Sequence, residues 1–141
     1  MDNKIFDFIN KTYFMQDNLP IFEDFIEPKL IKVEEGFAEV SVEVKESHLN
    51  LHRITHGGVL STLADITMGT ACIAYGKSIV TAEMSMSFIR GANAGQVITA
   101  KAKVDNNGNN LMRTSCNIYD DNGKLLLSAI GSFFVLGELE F

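Results

Sequence analysis

A chain of 141 residues with 46% hydrophobic and 21% charged side chains has the size and composition of one globular domain, which excludes a disordered low-complexity protein. The formal net charge of −6 is concentrated in residues 1–47, which hold 11 Asp and Glu against 5 Lys. No basic run or RNA-binding aromatic motif offsets it, so nucleic acid is excluded as a partner.

The first segment, Asp2–Met15, places Ile5, Phe6, Phe8, Ile9, Thr12 and Tyr13 near helical spacing, which predicts a helix with one apolar side. Acids in its first turn and polar residues every few positions are unlike a signal peptide. Lys29–Lys45 reads as two strands broken at Gly36. The second alternates Ala38, Val40, Val42 and Val44 with Glu39, Ser41, Glu43 and Lys45, the pattern of a half-buried strand. Glu46–Thr55 is polar and irregular, a loop that delivers the chain to Gly57 and Gly58.

From Val59 to about Tyr75, apolar residues recur at i, i+3, i+4 and i+7, and Asp65 is the one charge. A helix apolar nearly all round must be wrapped by other structure. Four strands are expected after Gly76: Ser78–Arg90, Gln96–Asp105, Asn110–Tyr119 and Lys124–Leu136. The stretches "DNNGNN" and "DDNG" mark tight antiparallel hairpins, so the second half reads as a meander. The expected class is α+β: a curved antiparallel sheet wrapped around a central helix. Met84, Met86 and Phe88 are expected on the face toward that helix, with Thr81, Glu83 and Ser85 on the other, and Glu83 in a salt bridge. The longest apolar stretch, Leu125–Gly137, is 13 residues, short of the roughly 20 a spanning helix needs. A soluble cytoplasmic protein is expected. Cys72 and Cys116, far apart and without CxxC spacing, are expected as reduced core residues rather than metal ligands.

The stretch "THGGVLSTLAD", Thr55–Asp65, carries the chemistry. Two glycines before an apolar helix let the backbone approach a ligand while the free N–H groups of the first turn point outward, an arrangement suited to developing negative charge. A tight chain turn would also use Gly58. Asp65, seven residues after Gly58, falls on the same side of the helix with Ser61, Thr62, Met68 and Gly69 as neighbours. A carboxylate on a wrapped helix is costly unless bonded. It is either tied to a backbone turn or to an Arg such as Arg53, or it is functional.

"HGGVLSTLAD" resembles the motif of hotdog-fold acyl-CoA thioesterases of the phenylacetate-degradation (PaaI-like) type, and the resemblance runs from about Lys29 to Val135, including "VTAEMSMSFIRGANAGQVITAKAKV". It implies a hotdog fold over residues 1–141 with residues 1–20 as an N-terminal helical extension, and an acyl-CoA substrate whose CoA is the one cofactor-like group. It further implies that Asp65 is nucleophile or general base and that the Gly57 N–H contacts the oxyanion. Asn50 stands where relatives polarise the carbonyl, and Thr81 where they orient the attacking water. His56 shapes the loop and assists the catalytic group by hydrogen bonding, and Gly58 and Arg90 belong to substrate binding. Arg90, Lys101, Lys103, Arg113 and Lys124 are candidates for the CoA phosphates, with Arg90 supported by its position. Gly91 stands where relatives carry Pro.

One consequence is geometric. Gly57 and Asp65 are eight residues apart, about 12 Å along one helix, whereas both must reach one carbonyl group. The reading therefore requires a homodimer, alone or paired into a tetramer, in which Gly57 of one subunit meets Asp65 of another. Two other classes stay open: an acyl-CoA-binding sensor or scaffold, which would not need Asp65, and a hydratase or dehydratase pairing a catalytic His with an acid, an arrangement in which neither His48 nor His52 stands. Met68, Tyr75 and Phe88 are expected to limit the acyl group.

Overall fold

The computed structural model describes residues 3–15 and 21–140. A six-stranded antiparallel sheet packs around one long helix. In chain order the elements are α1 (Asn3–Ile9), a π-helical turn (Asn10–Phe14), α2 (Glu23–Ile26), β1 (Lys29–Glu34), β2 (Phe37–Glu43) and a 3₁₀ turn (Glu46–His48). Then follow α3 (Gly57–Ile73), β3 (Lys77–Phe88), β4 (Val97–Asn107), β5 (Leu111–Tyr119) and β6 (Leu125–Glu138). Residues 1–2 and 16–20 of the expected N-terminal extension lie outside the described residues.

The strand order is β1-β2-β4-β5-β6-β3. The hairpins β4–β5 and β5–β6 form as expected. At the second, the Asp120 carboxylate accepts from the Asn122 and Lys124 N–H groups, and Gly123 takes φ +80°. The four-strand meander does not form: β3 pairs with β6 rather than β4. The β3–β4 connection lacks a tight-turn dipeptide and runs across the N-terminal end of α3, which leaves β4 to pair with β2.

α3 is buried because the sheet wraps it. Leu63, Ala64, Met68, Ala71 and Cys72 are inaccessible, and they meet inward residues of β2, β4, β5 and β6 such as Val40, Ile98, Met112 and Phe133. Small inward side chains, Ala38, Ala100 and Ala102, let the helix approach the strands closely. Ser61, Thr62, Asp65 and Ile66 form its less covered stripe. Gly76, at φ +80°, turns the chain out of the helix. Cys72 and Cys116 are buried and unpaired, and burial pushes both thiols up to about 12, so they are inert packing groups.

Gly36 closes the β1–β2 turn at φ +75°, where an added Cβ would lie 2.7 Å from the Tyr75 hydroxyl. Left-handed backbone alone costs a non-glycine residue about 1–2 kcal/mol. Gly36→Ala is therefore expected to destabilise the fold by at least that much, read from the denaturant midpoint at unchanged m-value.

A β-bulge corrects the expected faces of β3. Thr81 pairs with Phe133 and Glu83 with Ser132, so Ala82 is the extra residue and the alternation resets. Thr81 consequently faces α3, as do Met84 and Met86, while Glu83 turns outward to the Arg113 guanidinium at 3.1 Å. Phe88, expected in the core, is 54% exposed at the strand end.

Candidate active site

Two clefts on this chain share no lining residue, and between them they hold the predicted site residues other than His56 and Gly58. The first cleft, about 290 Å³, is lined by Asn50, Gly57, Phe88, Arg90 and Gly91. Its floor is held by a reciprocal clamp. The Thr55 N–H and hydroxyl both donate to the Ala92 carbonyl, at 2.8 and 2.7 Å, and the Ala92 N–H donates back to Thr55 Oγ1 at 3.0 Å. That clamp brings the loop entering α3 against the chain leaving β3. Gly91, the departure from the family pattern, is required here: a Cβ would lie 2.6 Å from Ile54 Cδ1.

Asn50 closes a tight turn in the same loop. Its Oδ1 accepts from the His52 and Ile54 N–H groups, at 2.9 and 3.3 Å, which leaves the Nδ2 hydrogens available to a ligand. Arg53 in that turn has φ +63° and pairs with Glu46 at 2.6 Å, so it is not the partner of Asp65. His56 is the N-cap of α3, its Nδ1 accepting from the Gly58 N–H at 2.8 Å. The Val59 and Leu60 N–H groups donate to the His56 carbonyl. Of the first-turn donors this leaves the Gly57 N–H, for which the described residues supply no acceptor. Arg90 is exposed beside it, while Arg113 is engaged by Glu83 and Ser132.

The second cleft, about 410 Å³, contains Asp65 and Thr81. The Thr81 hydroxyl donates to Asp65 Oδ1 at 2.6 Å, and Oδ2 has no donor among the described residues. Burial raises the Asp65 carboxyl above the usual aspartate range. The Thr81 bond pulls it down, and the nearby Glu23 carboxylate pushes it up. A half-buried acid with one free oxygen and a raised pKa can accept a proton or attack an electrophile. Among the described residues no group of three or more metal-ligating side chains exists, and no helix is long and apolar enough to cross a membrane.

The rest of this cleft was not expected from the sequence. Tyr13 and Phe14 of the π-helical turn, Ile21, Glu23 and Pro28 enclose it together with Ile66, Gly69 and Ile73 of α3. The π winding changes the phase of the N-terminal helix and so sets which of its aromatics reach the cavity. Met68 is packed in the core, Tyr75 lies against Gly36 and Phe88 lines the other cleft, so none of the three borders the Asp65 cavity. His48 is buried between Lys45 N–H and the Phe25 carbonyl, at 3.0 and 2.7 Å, where it ties α2 to the loop. His52 is exposed, and neither His48 nor His52 lines the Asp65 cavity.

The family model of the thioesterase superfamily matches residues 52–127. A putative esterase of Archaeoglobus fulgidus is 30% identical over 125 residues, covering 89% of this chain and 80% of that one. The acyl-coenzyme A thioesterase PaaI of Escherichia coli is 38% identical over 79 residues, 56% of each chain. The solved structure of the E. coli PaaI protein superposes with a TM-score of 0.88 at 27% identity, over 97% of this chain and 96% of that one. A hypothetical thioesterase of Streptococcus pneumoniae, solved with coenzyme A, does so with a TM-score of 0.78 at 26% identity, over 80% and 88%. The family match, covering more than half of the chain and both ends of the helix that carries Gly57 and Asp65, together with the sheet wrapped around that helix, makes this protein a member of the thioesterase superfamily, a hotdog-fold thioesterase of the PaaI-like type.

Proposed function

We propose that the protein hydrolyses acyl-CoA thioesters as a homodimer, with each reacting centre built from Asp65 and Thr81 of one subunit and Gly57 and Asn50 of the other. The observation that carries this is the division of labour along α3. The open N–H donor and the carboxylate sit in separate clefts about 12 Å apart on one helix. Two antiparallel copies of α3 related by a two-fold axis would bring each Gly57 to the other subunit's Asp65, forming two equivalent sites.

In that site the Gly57 N–H and the Asn50 Nδ2 donate to the thioester oxygen. Arg90 lies beside Gly57, where a cation meets the phosphates of CoA. Asp65 Oδ2 takes a proton from water as the water oxygen bonds to the carbonyl carbon. Collapse breaks the C–S bond, and the proton passes to the departing thiolate, giving free acid and CoA. Thr81 has spent its hydrogen on Asp65 Oδ1, so its lone pairs can accept from the attacking water. Attack by Oδ2 itself, through an anhydride that water then opens, uses the same geometry. His56 acts by holding the helix cap, and Gly58 by leaving the entry unobstructed. No metal or cofactor takes part, and the cytoplasmic location belongs to the same reading.

Thiol release from short, aryl and long-chain acyl-CoAs tests the proposal. Release by a dimer supports it. Acyl-CoA binding without release would make the protein a sensor or scaffold, hydration of crotonyl-CoA would make it a hydratase, and full activity in a monomer would refute the shared site.

Thr81→Val keeps the side-chain shape and deletes the hydroxyl bond. Without that bond the Asp65 carboxyl rises further, so the acid limb of kcat/KM moves to higher pH, and the loss of activity is greatest on that limb. A full pH–rate profile of the two proteins checks it, and an unmoved limb would remove Thr81 from the site.

A further inference from the structure

We infer that Glu23 is a specificity determinant: it makes the Asp65 cavity a pocket for uncharged acyl groups and rejects acyl groups that end in a carboxylate. The inference rests on the acyl-CoA reading above and adds to it the class of acid released. The cavity that holds the candidate base continues along α3 past Ile66 and Gly69 to Ile73, about 12 Å beyond Asp65. Its walls are apolar, from Phe14, Ile21, Pro28, Ile79 and Phe133. Its volume of about 410 Å³ lies within the range of small-molecule pockets. An acyl group whose carbonyl sits at Asp65 has this space to enter.

The charges around it have one sign. Glu23 enters from α2, Asp65 from α3, and no Lys, Arg or His lines the cavity among the described residues. The adjoining cavity shares Tyr13, Phe14, Ile21, Glu23 and Pro28 and adds Asp24 and Glu27. Glu27 is itself paired with Lys45. Tyr13 is a neutral phenol whose pKa burial raises, so it offers a dipole and no charge. Glu23 and Asp65 line one cavity, and after burial and the Thr81 bond the Glu23 charge is a further cause acting on the Asp65 carboxyl, in the upward direction. An acyl chain ending in methyl buries apolar surface against these walls. One ending in carboxylate would bring a third negative charge into a confined space without a counterion, which is heavily disfavoured.

The test compares hexanoyl-CoA with adipoyl-CoA, equal in chain length and differing in the terminal group, by thiol release and by calorimetric Kd. The native protein should favour hexanoyl-CoA about 100-fold, the scale of an unrelieved like-charge contact. Glu23→Gln should shrink that ratio at least tenfold. Glu23→Asp, which keeps the charge, should retain most of it, an outcome that a purely structural role for Glu23 would not produce. The ratio in the native protein should also fall as salt is raised, a reading that needs no variant to fold. A native ratio near unity, or one that Glu23→Gln leaves unchanged, overturns the inference. Discrimination in Kd with no thiol released from either ester would overturn the hydrolase reading while leaving the charge selection standing.

Discussion

Asp65→Asn will lower kcat/KM for any acyl-CoA the protein hydrolyses by about 10²–10⁴-fold, the usual contribution of a positioned base or more. The amide keeps the size of the carboxylate and can still meet the Thr81 hydroxyl through its oxygen, but it cannot take the proton from water and is a poor nucleophile. The variant should also be the more stable protein. Burial raises the folded Asp65 pKa above its unfolded value. The folded chain therefore holds this proton more tightly than the unfolded chain, and stability falls as pH climbs between the two values. Above the folded pKa the whole cost of the charge is present. At pH 7 Asp65→Asn should consequently raise Tm, an advantage that shrinks as pH falls into the ordinary aspartate range and disappears below it, where native Asp65 is protonated in both states. A variant that is less active and less stable at pH 7 would indicate damage to the helix rather than loss of a functional acid. Single turnover in ¹⁸O-water separates the two routes: label found first in Asp65 requires the anhydride, and label found only in the released acid requires direct attack.

Gly57→Pro will remove the second half of the site without removing the helix. With His56 as N-cap, Gly57 is the first helical residue, where proline is well tolerated because its missing N–H has no partner within the helix. His56 already has φ −63° and ψ 138°, the extended conformation that a following proline requires. An added Cβ meets the tip of the Phe88 ring at 3.3 Å, a contact the exposed ring can relieve. The expected loss is about 10²–10³-fold in kcat at near-native helicity, the cost of one oxyanion donor. Mixing is the stronger test. Asp65→Asn and Gly57→Pro dimers, each nearly inactive, should exchange subunits to form mixed dimers in which one of two sites has both native halves. A random equal mixture should then recover roughly a quarter of native activity, since half of the dimers are mixed and each has half of its sites intact. Recovery absent despite exchange, shown by mass spectrometry of the mixed species, would place the two residues in one subunit's site or in none.

Much of this was legible locally. The alternation of β2, the Asn-Gly hairpins and the helical spacing after Gly58 are patterns of near neighbours, and the structure places the corresponding strands and helix within a few residues of expectation. The Gly57–Asp65 spacing is likewise local, and the structure places the two residues in separate clefts. The face of Thr81 was not legible, because a bulge depends on how β3 meets β6 and leaves no period in the strand's own residues. Glu46, which captures Arg53, was equally hidden behind the turn between them.

The sequence by itself determined which residue types stand at the ends of the central helix, since an uncharged helix with one acid and a glycine-led cap can be read from spacing and solvation cost alone. Tertiary structure alone decided that β3 closes on β6, that Thr55 clamps Ala92, and that Tyr13, Phe14 and Glu23 enclose the cavity beside Asp65. Those pairings join segments tens of residues apart. They are selected by which arrangement buries the apolar faces together and satisfies the backbone, a property of the whole chain that no local window contains.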